Sequence, residues 1–354
     1  MARRPNPLDG FTVDPTDIEY VGHDLQRPEC ILAEPDGSLW SADARGGVVH
    51  IRPDGTQRLI TQTASRGFAE ATDEAARFVS GTLPNGLAFA RNGDILISNF
   101  GTDRLEIMER DGATRVLVDT IDGQPIGKVN FVLRDSRDRI WLTISTRTKN
   151  WMKAIGPKVR DGYVALYDGG KLRVVADGFA FTNEIRLDAK EEWLYVAETC
   201  ARKVTRLRVL PDGSLTDRET FGPEDHGACI DGIAFDAHGN LWGTHVFTDR
   251  IFAITPEGEL RILLDDDRGS AAGKAFLAAF ERDEATPELM LACGGTIAPW
   301  CASITFGGAD LRTVYVGSLK GTRIPYFRSP VAGLAMAHWR AVQSPAQETK
   351  EEES

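Results

Sequence analysis

The 354-residue sequence predicts an all-β fold: a six-bladed β-propeller of four-stranded blades with lid segments on one face. Three observations carry that reading. A strand, tight turn, strand pattern recurs six times; the copies are spaced at roughly 45 to 70 residues, as radially repeated sheets require; and the insertions fall only in links that open on one face.

The opening strand pairs read CILAEPDGSLWSAD, GLAFARNGDILISN, FVLRDSRDRIWLTI, EIRLDAKEEWLYVAE, GIAFDAHGNLWGTH and SITFGGADLRTVYVGS, starting at Cys30, Gly86, Phe131, Glu184, Gly232 and Ser303. Asp36-Gly37, Asn92-Gly93 and His238-Gly239-Asn240 supply the backbone freedom that a hairpin reversal needs. Third strands follow as VVHI, RLEIM, YVALY, VTRLRV, RIFAI and RIPYF, and fourth strands such as RLI at Arg58 and RVLV at Arg115 complete most copies. A ring must close, and Ile18 to Val21 is placed to supply the last strand of blade six. The expected organisation is a flexible tail over residues 1–14, one propeller domain over 15–340 and a flexible acidic tail over 341–354.

Composition removes several function classes. A formal charge of -11 and a pI near 5.2 argue against nucleic acid and against an anionic membrane surface as partners. The first ten residues carry no apolar run behind their arginines and no segment reaches membrane-spanning length, so the expectation is a cytoplasmic protein. Five scattered cysteines without a CxxC pair fit reduced thiols, not a disulfide framework or a zinc-thiolate site.

The long links are 61–82 and 265–298 between blades and 146–161 between the second and third strands of blade three. In an up-and-down blade both kinds of link open on the same face of the disc, which marks that face as functional. Aligning the copies at the residue leading into each innermost strand gives Glu29, Asn85, Asn130, Asn183, Asp231 and Ala302. Five of six are acids or amides, although Asn and Asp are depleted in strands. An oxygen-only set suits one hard divalent cation, calcium first, with Mg2+, Mn2+, Zn2+ or Fe2+ as alternatives. Glu29, Asn183 and Asp231 are the candidate metal ligands, with Asn130 beside them. A second column at the ends of the second strands reads Asp43, Asn99, Ile144, Glu198, His245 and Ser318. It is expected to ring the same mouth, Glu198 orienting substrate and His245 moving protons near neutral pH.

These residues resemble the family of senescence marker protein, gluconolactonase and luciferin-regenerating enzyme across residues 18 to 330. The resemblance rests on Glu29 in Arg27-Pro28-Glu29, Asn183 in Phe181-Thr182-Asn183-Glu184 and Asp231 in Ile230-Asp231-Gly232-Ile233, which match the family's metal ligands of blades one, four and five. Its blade-three motif has a substrate-binding arginine two residues before an asparagine, with an aspartate after it. This chain reads Lys128-Val129-Asn130-Phe131. The resemblance implies a lactonase, a hydrolase acting on carboxylic ester bonds. The metal would polarise the carbonyl, Asp231 would activate water, and Asn130, Asn85 and Lys128 would hold a small lactone. Trp151 and Met152 in the 146–161 lid, with Phe100, Phe181, Phe247 and Trp300, point to a pocket more apolar than a sugar lactone needs. A metal-assisted lyase, isomerase or condensing enzyme, or a noncatalytic ligand-binding propeller, fits the same scaffold.

Overall fold

The protein is described by a computed structural model over residues 5–63, 73–79, 81–267 and 269–340. Six four-stranded antiparallel sheets form the blades, the first five running outward in chain order. The innermost strands are Ile31–Ala33, Pro84–Phe89, Val129–Arg134, Thr182–Leu187, Ile230–Phe235 and Cys301–Gly307. Glu19–Val21 pairs antiparallel with Ile324–Arg328, so the N-terminal strand closes blade six. This velcro closure removes the free edge that an open ring would leave.

Five of the six innermost strands begin about two residues earlier than the sequence pattern indicates, and each contains a register shift. The shifts enclose Asn85-Gly86, Asn130, Asn183-Glu184, Asp231-Gly232 and Ala302-Ser303. A bulge leaves residues out of the ladder and re-aims their side chains, here toward the axis. The released backbone groups are recaptured by hydroxyls of the next strand: Ser98, Thr143 and Thr244 accept from the N–H of Gly86, Phe131 and Gly232. A side chain at Gly86 could not be accommodated, because its Cβ would stand 2.6 Å from the Phe131 ring.

The blades are also bonded to one another around the axis. Ser98 Oγ donates to the Asn130 carbonyl (2.6 Å), Ser145 Oγ to that of Thr182 (2.7 Å), Thr244 Oγ1 to that of Ala302 (2.5 Å) and Ser303 Oγ to that of Glu29 (2.5 Å). Arg27 donates to the Pro84 carbonyl and Ile233 N–H to Glu184, which completes all six junctions. Between blades the core is apolar, with Trp40, Trp141 and Trp242 fully buried in equivalent second strands. Each indole N–H finds a carboxylate at its hairpin, Glu34, Asp135 and Asp236.

The 146–161 and 265–298 links lie together on one face. Trp151–Ala154 forms a 3-10 turn, Ala271–Glu281 and Pro287–Ala292 form helices, and their apolar side chains join Phe78, Phe100, Phe181, Phe247 and Trp300 in one cluster. Residues 64–72 and 80 of the 61–82 segment lie outside the described residues, as does the 341–354 tail. Residues 5–13, expected to be a loose tail, pack on the propeller. Leu8 and Val13 are buried with Trp242 and Phe306, and Asn6 donates to Asn240 at 2.6 Å. At the opposite end of the channel the C-terminal segment runs across the opening, with Leu334 N–H bonded to Phe235 and Trp339 buried. All five cysteines are free and buried, and no helix among the described residues is long and apolar enough to cross a membrane.

Asp236 binds the Trp242 indole, the Asn240 carboxamide and two backbone N–H groups. Asp236→Ala would leave these buried donors unpaired and should cost about 3 kcal/mol, read from urea unfolding, with Asp236→Asn recovering part of the loss.

Candidate active site at the channel mouth

The bulges deliver Asn85, Asn130, Asn183 and Asp231, and the link into blade one delivers Glu29, to a single cavity of about 370 Å³ under the apolar cap. Its walls add Phe100, Trp151, Ile155, Phe181, Phe247 and Leu319. All five polar residues are at least nine-tenths buried. Asn85 spends its atoms as a brace: Nδ2 donates to Glu29 Oε1 (2.5 Å) and to the Asn130 carbonyl (3.0 Å), while Oδ1 accepts from Arg27 (2.5 Å). That is a supporting place, where the sequence suggested a substrate contact. Asn183 Nδ2 donates to Thr199 Oγ1 at 3.1 Å, turning its oxygen the other way.

Three oxygens here are buried without a hydrogen-bond donor: Glu29 Oε2, Asn130 Oδ1 and Asn183 Oδ1. Unpaired buried acceptors are costly, and a cluster of them in one polar cavity is the signature of a site built for something that arrives. Among the described residues no three His, Cys, Asp or Glu side chains are grouped to hold a metal. A cation here would therefore draw on carboxamides as well as Glu29 and Asp231, which is the donor chemistry of a hard oxygen-seeking ion. By this test the residues present fit a divalent metal.

Electrostatics point the same way. Burial raises Glu29 to about 7, against the pull of Arg27 and the Asn85 hydrogen bond. Glu184, the bulge neighbour of Asn183, is likewise raised to about 7 by burial although Arg186 lies 2.9 Å away. Asp231 is pushed well above the usual carboxylate range by burial and by the charges of Glu29 and Glu184. Three carboxylates thus share a low-dielectric channel with two guanidiniums, Arg27 and Arg186, which leaves one negative charge in excess when all are ionised.

Other expected site residues lie elsewhere. Lys128 is turned away from the cavity: its ammonium pairs with Asp103 at 2.9 Å and donates to the Phe100 carbonyl at 3.1 Å. Glu198 accepts from Ala180 N–H and from Thr205 Oγ1, is fully buried and does not line the cavity. His245 does not line the cavity. Its Nε2 stands 3.1 Å from His226 Nδ1, its ring stacks on Phe252, and burial holds it well below the ordinary imidazole range, so it stays neutral. The second column has a different task. Asp43, Asn99 and Glu198 each accept from the backbone N–H of the incoming link, at Gln26, Leu83 and Ala180, and Ser318 donates to the Pro299 carbonyl. These bonds fix where each innermost strand starts and so hold the inner column in place. Arg27, by contrast, lines the cavity and was not singled out in the sequence. Its signal was only its adjacency to Glu29 across Pro28.

Trp151 lines the cavity as expected and is tied down by donating Nε1–H to the Phe78 carbonyl at 2.7 Å. A larger cavity of about 680 Å³ lies at the far end beneath the C-terminal segment, against Arg186, Phe235, Phe306 and Trp339. None of its lining side chains carries a buried polar atom without a partner, in contrast to the smaller one.

A model of the SMP-30/gluconolactonase/LRE-like region matches residues 28–264, the stretch that holds every inner-column residue except Ala302. The chain belongs to this family. Among solved structures it is similar to a gluconolactonase of Xanthomonas campestris, with TM-score 0.63 and 17% identity over 90% of this chain and 94% of that one. A calcium-binding protein, regucalcin, of Agrobacterium tumefaciens gives 0.63 and 13% over 89% and 95%. Virginiamycin B lyase of Staphylococcus aureus gives 0.53 and 14% over 87% and 84%, a likeness of fold alone, as are the other two. Human serum paraoxonase/arylesterase 1 is 33% identical over 92 residues, so the chain spans only a quarter of that relative's length.

Because the Lys128 ammonium is committed to Asp103, Lys128→Met should lower stability by about 2 kcal/mol yet leave divalent-metal affinity within twofold of wild type. Calorimetric titration set beside urea unfolding checks both halves.

Proposed function

We propose that this protein is a metal-dependent lactonase whose substrate carries an apolar or aromatic portion. The observation that carries the reading is the convergence of the partnerless Glu29, Asn130 and Asn183 oxygens with Asp231 in one buried cavity. Family membership supports ester hydrolysis, and the calcium-binding relative supports calcium as the first ion to try. A divalent cation held by Glu29, Asn183 and Asp231 beside Asn130 would supply Lewis-acid polarisation of the lactone carbonyl and turn the channel's excess charge positive, the sign a developing oxyanion needs.

The remaining work falls to the chain's own groups. Asp231 accepts a proton from the attacking water as its oxygen bonds to the carbonyl carbon, then returns that proton to the ring oxygen when the ester C–O bond breaks. Asn130 has its carboxamide free to orient the substrate, while Asn85 and Thr199 keep Glu29 and Asn183 from rotating. Phe100, Trp151, Ile155, Phe181, Phe247 and Leu319 exclude water and give an apolar substituent a surface to bury against.

Chelator-treated protein should not turn over a panel of γ- and δ-lactones, and calcium should restore hydrolysis. A protein that binds calcium and hydrolyses none of them is not a lactonase. Asp231→Asn should abolish turnover, by about 10³-fold or more for loss of a general base acting with the metal, and should remove the calcium-induced rise in Tm.

Trp151→Ala should raise KM for aryl-substituted lactones by about tenfold to a hundredfold, as the roughly 1.5 to 3 kcal/mol of a buried large side chain implies. KM for a small unsubstituted lactone should change far less, and equal shifts for both would contradict an apolar subsite.

A further inference from the structure

Two residues before the inner column, blades one, four and six adopt the left-handed backbone: Arg27 (φ 56°), Phe181 (φ 60°) and Trp300 (φ 56°). Non-glycine residues pay for that conformation, of order 1 kcal/mol or more, and keep it where the surroundings demand it. In blades four and six the turned-in side chain is aromatic and joins the cap. Blade one spends the same strained position on a charge. Among the described residues, Arg27 is the one cationic side chain lining the cavity.

The guanidinium is 5% exposed, and its bonds are unevenly shared. One terminal nitrogen donates to the Pro84 carbonyl (3.1 Å), the other to Asn85 Oδ1 (2.5 Å), and Nε–H is buried with no acceptor. The nitrogen bonded to Pro84 stands 3.0 Å from Glu29 Oε2, yet that oxygen receives no aligned hydrogen bond. Arg27 therefore acts on Glu29 chiefly through its charge. Such a partner can be exchanged for another cation without stranding a donor. One carboxylate thus faces two claimants, the resident guanidinium and any metal that Asn130, Asn183 and Asp231 help to bind.

We propose that Arg27 sets the metal affinity of this site and binds substrate: it holds the charge of Glu29 when no metal is present, yields that carboxylate to a divalent cation, and then offers its N–H groups, Nε–H among them, to a carbonyl or ring oxygen of the substrate. This rests on the metal-dependent reading above. It predicts an effect opposite to that of an ordinary buried arginine, whose removal would loosen the site. Deleting Arg27 removes a competitor for Glu29 and a like charge beside the cation, so metal binding tightens while substrate binding weakens.

The test uses full-length, chelator-treated protein, calcium titration by calorimetry, and lactone kinetics at saturating calcium. Arg27→Gln should bind calcium at least tenfold more tightly than wild type and raise lactone KM at least tenfold. Arg27→Lys keeps the charge but not the fork, so calcium affinity should stay within threefold of wild type while KM still rises. Calcium affinity in Arg27→Gln equal to or weaker than wild type, with the Tm of Arg27→Lys showing an intact fold, overturns the proposal, as does an unchanged KM in both variants. If wild type binds no divalent cation, the metal-dependent reading falls and takes this inference with it. If wild type binds calcium and hydrolyses lactones while Arg27→Gln matches it, this inference alone falls.

Discussion

Burying Glu29, Glu184 and Asp231 in one channel is the constraint on which the rest of the molecule depends. Each carboxylate would be expensive alone in a low-dielectric interior, and together they repel, which is why all three are displaced upward from their ordinary range. Arg27 and Arg186 offset part of that cost from opposite sides of the ring, Arg186 lying over the Phe131 ring as it pairs with Glu184. The remaining excess of negative charge, beside three oxygens lacking donors, is the physical ground for the cation proposed at the channel mouth.

Holding like charges together requires a frame that does not relax. The bulges place the column residues of blades two to six off the ladder, the hydroxyls of Ser98, Thr143 and Thr244 recover backbone groups there, and Ser98, Ser145, Thr244 and Ser303, with the Arg27–Pro84 and Ile233–Glu184 bonds, tie each blade to the next. A rotation of one blade would strain the next one through these bonds. The strand-end column of Asp43, Asn99, Glu198 and Ser318 fixes the incoming links. Polar residues far from any ligand thereby contribute to the geometry of the site, and this accounts for a polar column that does not face the mouth. The apolar cap raises the stakes: by excluding water it strengthens every charge interaction beneath it.

Much of the site was legible because it repeats. Six copies in register make a column of Glu29, Asn85, Asn130, Asn183 and Asp231 visible without coordinates, since residues at equivalent positions of radial blades must converge on the axis. Lys128, Glu198 and His245 were misplaced for a common reason. Alignment gives the position of a Cα along a strand, not the direction in which a long side chain finds its partner. Lys128 found Asp103, Glu198 found the Ala180 amide and Thr205, and His245 found His226, each a contact between segments that the repeat does not relate. Packing of residues 5–13 on blades five and six, and passage of the C-terminal segment across the far opening, were hidden in the same way, because neither belongs to a repeat.

The sequence by itself determined the six blades, the closure by the strand at Glu19–Val21, the face that carries the long links and the inner oxygen column, because strand periodicity, turn chemistry and repetition are all local properties. Only the tertiary structure decided which atoms of that column lack partners. It also put the cavity's cation on Arg27 of blade one, with Lys128 of blade three turned away. Orphaned oxygens and charge balance are properties of what surrounds a side chain in space, and a left-handed backbone at Arg27 is enough to move a guanidinium into a site that its place in the sequence does not announce.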